Sequence, residues 1–262
     1  MILLAALSCA ALRPLPASSL AALRTNGWAA TPDFLQPAEV ERLRDDIAAL
    51  RREGRFGAAG VGADSTNRLD GSVRQCEQCF LFPQLKHSGG GDQAGRALLY
   101  DTLDGLRETL QQSTGEALEG LLTEGLYACY PNGGFYRRHV DSVPGTPQEI
   151  RRYSYLLYAN TDWTKADGGM LRLHTDGGGE AAPAGAAPSF VDVAPRAGTL
   201  VVFRSDLPHE VLDTAAERLA VAGWFNAPPH GSTERRKLIA GLAAAVVLGG
   251  AANLARGGGS AK

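Results

Sequence analysis

The stretch LYACYPNGGFYRRHVDS (126–142) combines a strand-like run, a turn and two candidate metal ligands. The Pro-Asn-Gly-Gly sequence in its middle is typical of a turn between strands. His139 and Asp141 stand two positions apart, so in an extended strand their side chains lie on the same face. An imidazole and a carboxylate side by side can supply two ligands to a metal ion. The alternative is an exposed polar pair beside a turn, and only a third ligand decides between the two.

Similar short runs continue to residue 225 and indicate an antiparallel β-sandwich or barrel. Each run is rich in aromatic and β-branched residues, and turns containing Gly or Pro separate the runs. They are LYACY (126–130), RYSYLLYA (152–159), GMLRLH (169–174), SFVDVA (189–194), TLVVF (199–203) and RLAVAGWF (218–225). TDGGGEAAPAGAAP (175–188) is interpreted as a hairpin loop. The second half of the chain is therefore predicted to be mainly β.

Two amphipathic helices are predicted in the first half of the chain. The first begins near Pro37, a residue that suits the first position of a helix. The second covers about residues 95–112. Apolar residues recur at spacings of three and four in both, at Val40, Leu43, Ile47 and Leu50 and at Leu99, Leu103, Leu106 and Leu110. Helices followed by a β-sandwich fit a single domain over about residues 18–230.

Charge and cysteine content exclude several other classes of protein. The net charge of the 262 residues is −2 with both signs interspersed, so no basic surface for nucleic acid is expected. Four cysteines, at positions 9, 76, 79 and 129, are too few and too scattered for a disulfide framework. Cys76 and Cys79 form a C-x-x-C sequence, but with no second pair nearby, ordinary thiols are favoured over a zinc or redox site.

Both ends of the chain differ in composition from the middle. MILLAALSCAAL (1–12) is apolar, and residues 1–17 are interpreted as a targeting or disordered segment, with a helical N-terminus as the alternative. Residues 231–262 are interpreted as a linker and an Ala/Gly-rich tail. Within them, 238–255 has 18 uncharged residues, which is marginal for a membrane span. A membrane anchor and a surface helix or flexible tail both stay open, and a cytoplasmic or organellar location is not decided.

His209 provides the third candidate ligand. It lies in FRSDLPHEVLDT (203–214), at the start of a strand-like stretch. Together with His139 and Asp141 it forms a set of two histidines and one carboxylate. Such a set suits Fe(II), because it fills one face of an octahedron and leaves three positions open. A structural zinc site would require four protein ligands, usually including cysteine.

Arg218 is a candidate for binding a carboxylate close to this metal site. It follows His209 by nine residues, on the next predicted strand. A guanidinium offers two parallel donors to a carboxylate, as the distal end of a chelating 2-oxoglutarate would require. The small Ala220 and Ala222 share its face with Trp224 and leave room for a ligand. The alternative is a surface arginine paired with Glu217.

The region 126–226 resembles the catalytic core of the iron- and 2-oxoglutarate-dependent prolyl 4-hydroxylases, and most of all their oxygen-sensing (hypoxia-inducible factor) branch with its microbial and algal relatives. The resemblance is carried by ACYPNGGFYRRHVD (128–141), YLLYANTDW (155–163), DGGMLRL (167–173) and PHEVLDTAAERLAVAGWF (208–225). Upstream, NGWAATPDFLQPAEVERLRDDIAALRREGRF (26–56) is similar to the helical start of that domain. The resemblance implies a double-stranded β-helix, which is a cupin-like jelly roll with bracing helices.

The resemblance also implies the roles of individual residues and the cofactors. His139, Asp141 and His209 match the iron ligands, and Arg218 matches the catalytic arginine that binds the distal carboxylate of 2-oxoglutarate. Tyr158 matches the tyrosine whose hydroxyl also binds that carboxylate, and Tyr130 matches a second tyrosine that lines the co-substrate pocket. Tyr136 and Trp224 match aromatic residues beside the metal, and core packing is the alternative role for both. Ser154, Leu156 and Tyr158 alternate onto one face of their strand, as a pocket wall requires. The implied cofactor is Fe(II), with 2-oxoglutarate and O₂ as co-substrates and L-ascorbate as a candidate reductant.

The expected function is that of a dioxygenase that 4-hydroxylates proline in a peptide or protein partner. One alternative is a hydroxylase of a free amino acid or another small molecule, which would use the same metal chemistry. A second is a binding module tethered to a membrane through 238–255. The loop at 175–188 departs from the family pattern, and the mobile loop that recruits peptide in that family cannot be aligned near 57–92, so the substrate stays undetermined.

Overall fold

The computed structural model describes residues 13–61, 68–81, 90–175 and 189–228. The helices in these ranges are α1 (Ala17–Asn26), α2 (Pro37–Arg52) and α3 (Gln93–Thr114), and two short 3₁₀ helices cover Pro147–Ile150 and Lys165–Asp167. The strands are β1 (Trp28–Thr31), β2 (Gly57–Ala58), β3 (Arg74–Gln75), β4 (Glu77–Leu81), β5 (Glu124–Tyr130), β6 (Phe135–His139), β7 (Arg151–Tyr158), β8 (Leu171–His174), β9 (Phe190–Val193), β10 (Leu200–Arg204), β11 (His209–Val211) and β12 (Arg218–Asn226).

The strands form two antiparallel sheets that face each other. The large sheet has the order β1-β10-β7-β12-β5-β4-β2, and the small sheet has the order β3-β6-β11-β8-β9. Apolar side chains from both sheets meet between them. One such cluster combines Tyr158, Val201 and Ala220 of the large sheet with Leu171 and Leu173 of the small one. This arrangement confirms the predicted double-stranded β-helix.

The helices cover the outer face of the large sheet. The eight apolar residues that predicted α2 and α3 are all buried, and they pack in one cluster with Tyr127, Tyr155 and Leu157 of the sheet. Burying each of these leucines contributes about 1.5–3 kcal/mol relative to leaving it exposed. Both predicted helices are therefore confirmed. Helix α1 was not predicted; its Ser19 hydroxyl lies 2.8 Å from that of Thr31 in β1.

Local signals in the sequence fix the ends of α2 and α3. Pro37 opens α2, where Gln36 and Glu39 form a capping box that satisfies the first backbone N–H groups. In α3 the Asp92 carboxylate accepts hydrogen bonds from the second and third residues of the helix. The helix ends at Gly115, whose φ of 74° lies in the left-handed region that glycine adopts without strain.

A buried ion pair joins both helices to the large sheet. The Arg96 guanidinium of α3 donates to both carboxylate oxygens of Asp46 in α2, at 2.9 and 2.6 Å. The Tyr127 hydroxyl of β5 donates to the same carboxylate at 2.7 Å. Removing one partner would leave a buried charge uncompensated, at a cost of about 3–5 kcal/mol. The network therefore holds the helical layer in place behind the strands that form the site.

Alternation along β7 and β12 separates the helix-facing side chains from those that face the interior. In β7, Tyr153, Tyr155 and Leu157 pack with the helices, while Leu156 and Tyr158 belong to the cluster between the sheets. In β12, Leu219 and Val221 face the helices. The predicted alternation is confirmed, and it directs a set of β7 and β12 side chains into the space between the sheets.

The cysteines of the described part of the chain are separate thiols. Cys76, Cys79 and Cys129 are free and buried. Cys76 lies in a cluster between the sheets, whereas Cys79 packs on the helical side. The two cysteines of the C-x-x-C sequence therefore face opposite sides of the sheet, which agrees with the interpretation as ordinary thiols. Cys9 lies outside the described residues.

No helix in the described ranges is both long enough and apolar enough to cross a membrane. The candidate membrane segment 238–255 lies outside these ranges, as do residues 1–12 of the candidate targeting or disordered segment 1–17 and most of the loop at 175–188. The interpretations of these segments, and the domain boundaries near residues 18 and 230, therefore stay predictions.

Candidate metal and carboxylate site

The structure brings His139, Asp141 and His209 together between the two sheets. His139 ends β6 and His209 begins β11, and the two residues are direct partners in the antiparallel pairing. The Nε2 atoms of His139 and His209 lie 3.6 and 3.5 Å from the two carboxylate oxygens of Asp141. One ligand atom from each residue lies within 4.8 Å of the other two. This spacing suits side chains that converge on a single metal ion.

A bulge in β6 turns its aromatic residue and its histidine to the same side. His209 pairs with His139, but Val211 pairs with Tyr136, so three steps along β6 oppose two along β11. Without this shift, residues three apart in a strand would face opposite sides. The Tyr136 ring instead stacks on the His139 ring, with their centroids 3.6 Å apart. Tyr136 therefore lies beside the candidate metal site, where the sequence resemblance placed it.

Asp141 reaches the site in a different way from the predicted one. Strand β6 ends at His139, so regular strand alternation does not position the carboxylate. The backbone N–H groups of Asp141 and Ser142 both donate to the carbonyl of Ser205, each at 2.9 Å. The Ser154 hydroxyl donates to Asp141 Oδ2 at 2.6 Å, and the Ser205 hydroxyl lies 3.0 Å from that of Ser154. The contacts with Ser154 and Ser205 thus fix the carboxylate.

Backbone carbonyls orient both imidazoles. Nδ1 of His139 lies 2.8 Å from the carbonyl oxygen of Arg137, and Nδ1 of His209 lies 2.9 Å from that of Leu207. Because a carbonyl only accepts, each Nδ1 carries a hydrogen, and each Nε2 faces Asp141. Metal-binding histidines commonly make such hydrogen bonds.

The protonation states of the cluster also suit a metal ion. Burial, reinforced by the neighbouring His139, lowers the pKa of His209 to about 4 against the opposing effect of Asp141. Burial by itself would raise the pKa of Asp141, but the two histidines and Arg151 hold it well below its usual range. His209 is therefore neutral and Asp141 ionised near neutral pH. Imidazole nitrogens with one carboxylate form a donor set that fits Fe(II).

Arg218 is a buried cation with unused donors. It is 2 % exposed, and its Nε donates to the carbonyl of Gly169 at 2.9 Å. Its Nη1 and Nη2 atoms have no hydrogen-bond partner among the described residues. Glu217, the alternative partner, pairs instead with Arg51 of α2 at 2.6 Å, so the alternative of a surface Arg218–Glu217 pair is wrong. A buried guanidinium with two free amino groups fits a carboxylate ligand.

Two tyrosines flank the Arg218 guanidinium. Its central carbon lies 4.9 Å from the ring centroid of Tyr130 and 5.0 Å from that of Tyr158. The Tyr158 hydroxyl is buried and also lacks a hydrogen-bond partner in the ranges that the structure covers. Burial raises the pKa of Tyr158, and the nearby Arg218 charge only partly offsets this, so the hydroxyl keeps its proton. Arg218 and Tyr158 together therefore offer three donor groups to one buried anion.

Leu156 and Trp224 complete the predicted set. Leu156 packs against the cluster that contains Tyr158 and Ala220. Trp224 packs against a neighbouring interior cluster, and the Arg151 guanidinium lies 3.7 Å from the centroid of its ring system. The Trp224 Nε1 atom is buried with no acceptor among the described residues. Both residues thus line the space between the sheets.

Two residues of the site escaped the sequence interpretation. Ser205 holds Asp141 through its backbone carbonyl, a contact that has no signature in the sequence. Arg74 of β3 lies over Tyr136, with its guanidinium carbon 4.6 Å from the ring centroid. Arg74 belongs to the stretch 57–92, which could not be aligned with the family, so no motif identified it.

Comparisons with known proteins agree with this site. The family model described as 2OG-Fe(II) oxygenase superfamily matches residues 125–226, which contain all of the predicted metal and co-substrate residues. The prolyl 3-hydroxylase OGFOD1 of Xenopus laevis is 33% identical over 104 residues. That match covers 36% of this chain and 18% of the relative, so the chain aligns with less than one fifth of the relative's length.

Solved structures extend the likeness to most of the chain. A prolyl-4-hydroxylase from Pseudomonas putida is 30% identical with a TM-score of 0.64, and the match covers 81% of this chain and 99% of that one. A prolyl hydroxylase from Trichoplax adhaerens, solved with a peptide fragment of the hypoxia-inducible factor, is 22% identical with a TM-score of 0.60. That match covers 84% of this chain and 90% of the other, and at this identity it shows a shared fold.

Proposed function

Because the chain belongs to the 2OG-Fe(II) oxygenase superfamily, we propose that it is an Fe(II)- and 2-oxoglutarate-dependent prolyl 4-hydroxylase of a peptide or protein. One observation carries the proposal. A His-Asp-His cluster and a buried arginine, whose two amino groups have no partner among the described residues, adjoin one interior cluster: its Phe203 contacts the His209 ring, and its Tyr158 contacts Arg218. The first fits Fe(II) and the second fits a carboxylate, and the co-substrate 2-oxoglutarate requires both.

Each residue has a distinct part in this reaction. His139, Asp141 and His209 hold Fe(II), and Arg218 with the Tyr158 hydroxyl holds the distal carboxylate of 2-oxoglutarate. Fe(II) and 2-oxoglutarate, when bound, would activate O₂: one oxygen atom would be inserted into a substrate C–H bond, and the other would be taken up as 2-oxoglutarate is converted to succinate and CO₂. Leu156 and Ala220 keep water away from the buried carboxylate, which strengthens its contact with Arg218.

A proline substrate is supported by the relatives and not by the site alone. The Pseudomonas putida prolyl-4-hydroxylase matches over 99% of its own length, whereas the relative named as a prolyl 3-hydroxylase matches over 18% of its length. The longer match favours hydroxylation at C4. The same metal chemistry would also serve a hydroxylase of a free amino acid, so the experiment has to separate these substrates.

The test is mass spectrometry of proline-containing peptides incubated with the protein, Fe(II), 2-oxoglutarate and O₂. We expect a gain of one oxygen on proline, no product with Arg218→Ala, and 4-hydroxyproline after hydrolysis of the peptide. Free L-proline is assayed in parallel. Product from free L-proline alone would replace the peptide substrate by an amino acid, and 3-hydroxyproline would correct the position. Absence of any 2-oxoglutarate consumption by iron-loaded protein would overturn the enzymatic proposal.

A further inference from the structure

A second arginine approaches the candidate metal site from the small sheet. Arg74 in β3 pairs with Tyr136 in β6, and its guanidinium carbon lies 4.6 Å from the Tyr136 ring centroid. The Tyr136 ring in turn stacks on His139 at 3.6 Å. The candidate iron ligand His139, the Tyr136 ring and the Arg74 guanidinium therefore stack on one another in that order.

Within the described ranges, Arg74 differs from three other arginines that each have a carboxylate partner. Arg137, Arg151 and Arg172 form ion pairs with Asp213, Glu124 and Asp192 at 3.1, 2.9 and 2.8 Å. Among the residues that the structure describes, no carboxylate pairs with Arg74. Its Nε donates to the Cys76 sulfur at 3.1 Å, and Nη1 makes a long contact of 3.5 Å with the Gly60 carbonyl. Both contacts are weak, because sulfur is a poor acceptor and 3.5 Å exceeds the usual distance.

The environment of Arg74 favours an anionic ligand. The residue is half-buried, and its neighbours are the Tyr136 ring and the buried thiol of Cys76. Water is thus partly excluded from the guanidinium, and the contact with Tyr136 replaces only part of the lost hydration. A carboxylate that enters this space would gain a two-pronged contact in a setting of low dielectric, where charge-assisted hydrogen bonds are strong.

Arg74 and Arg218 border the same interior cluster and have different tasks. Cys76 packs in one cluster with Tyr130, and Tyr136 and Trp224 pack against it. Arg218 lies in β12 of the large sheet, whereas Arg74 lies in the small sheet. The Arg218 guanidinium carbon is 4.9 Å from the ring centroid of Tyr130. Arg218 already has two unused amino groups for the distal carboxylate of 2-oxoglutarate. Arg74 is therefore left for the other molecule that must enter this space, the substrate.

We propose that Arg74 binds a carboxylate of the substrate, so that the enzyme selects prolines that have an Asp or Glu close by in the peptide. This inference rests on the proposed function and adds a specificity-determining residue to it. The same carboxylate chemistry would be presented by a free amino acid. The two sources are separated by comparing acidic peptides with free L-proline.

The test uses pairs of peptides with a single proline that differ only by Glu against Gln, with the acidic residue scanned along both sides of the proline. Binding to protein loaded with Mn(II) and 2-oxoglutarate is measured by calorimetry, and hydroxylation is measured separately with Fe(II). We expect the wild type to prefer the best Glu peptide over its Gln partner by about tenfold to a hundredfold, the range of a hydrogen bond between charged groups. Arg74→Gln should abolish this preference, and Arg74→Lys should retain part of it.

Arg172→Gln is the matched control, because it removes an arginine of the same small sheet that is already paired with Asp192. Its preference for Glu should equal that of the wild type. An Arg74→Gln protein that still binds 2-oxoglutarate normally shows that the fold and the co-substrate site are intact. Equal binding of Glu and Gln peptides by the wild type, or an unchanged preference in Arg74→Gln, would overturn the role of Arg74. If only the binding of free L-proline depended on Arg74, the proposal that Arg74 recognises an acidic peptide would be wrong.

The two proposals fail in different ways. If 2-oxoglutarate is consumed but no Glu preference appears, the proposed function survives and the Arg74 subsite is wrong. If 2-oxoglutarate is not consumed, the proposed function is wrong, and calorimetry still decides whether Arg74 recognises a carboxylate.

Discussion

At the scale of single residues, the hydroxyl of Ser154 holds the Asp141 carboxylate at 2.6 Å. Ser154 is 2 % exposed, so water cannot easily replace this contact. Groups that orient a metal ligand typically change metal affinity by about 10- to 100-fold when removed. We expect Ser154→Ala to weaken Fe(II) binding by this factor while the apparent affinity for 2-oxoglutarate at saturating iron stays the same.

Metal titrations under nitrogen check this prediction, and Ser154→Thr should restore much of the affinity because it keeps the hydroxyl. Ser189→Ala serves as the control, since the Ser189 hydroxyl lies in an exposed contact with Thr175. Wild-type iron affinity in Ser154→Ala would show that the chain around Asp141 positions the carboxylate without help from this hydroxyl.

Arg218 and Tyr158 should differ in how much they contribute to 2-oxoglutarate binding. Arg218→Ala leaves a buried carboxylate without its cation, which costs about 3–5 kcal/mol. Tyr158→Phe removes one hydrogen bond to a charged group, which costs about 1.5–3 kcal/mol. Competition binding of 2-oxoglutarate to the metal-loaded variants measures both. Unchanged affinity in Arg218→Ala would disprove the assignment of this residue to the distal carboxylate.

At the scale of secondary-structure elements, the turn before β8 controls where Arg218 lies. Gly169 has a φ of 65°, and a Cβ atom there would lie 3.0 Å from Arg218 Cδ and 3.2 Å from the Thr214 Cβ. Gly169→Ala therefore introduces backbone strain of about 1–3 kcal/mol and also displaces the guanidinium. We expect the affinity for 2-oxoglutarate to fall by about tenfold or more, because a small displacement of a binding group is costly.

Gly115→Ala separates these two effects. Gly115 ends α3 with a φ of 74°, and a Cβ atom there would meet nothing within 4 Å. This variant should lose a similar amount of stability in thermal unfolding and keep wild-type affinity for 2-oxoglutarate. Equal affinities in the two variants would mean that Gly169 is not needed to place Arg218.

The sequence predicted the elements of this fold better than the junctions between them. Periodic apolar residues predicted α2 and α3, and alternation along β7 and β12 predicted which side chains face inward. The bulge in β6 was not predicted, because it depends on how β6 pairs with β11, a strand 70 residues away. The hydrogen bond from the Asp141 backbone N–H to the Ser205 carbonyl was not predicted for the same reason. The candidate ligands could be recognised from their residue types. They are brought together by backbone pairing between distant strands, which the spacing of residues in the sequence does not encode.

At the scale of the whole molecule, we propose that the catalytic domain ends near residue 230 and that the Ala/Gly-rich tail is dispensable. The last strand, β12, ends at Asn226, whose backbone carbonyl accepts from Glu119 N at 2.8 Å. We expect a chain truncated after Lys237 to keep iron binding and turnover and to change only in solubility or membrane association. Activity assays and separation of membrane from soluble fractions check this. Loss of folding or turnover on truncation would place the tail within the domain.

The most direct test of the account is the formation of succinate from 2-oxoglutarate by the purified protein with Fe(II) and O₂. The wild type should produce succinate, and His139→Ala, Asp141→Ala and His209→Ala should each abolish it while keeping the circular dichroism spectrum of the folded chain. These substitutions remove one metal ligand each and leave the interior clusters intact. A wild-type rate of succinate formation in any of the three variants, without an added external ligand, would contradict the assignment of the iron site.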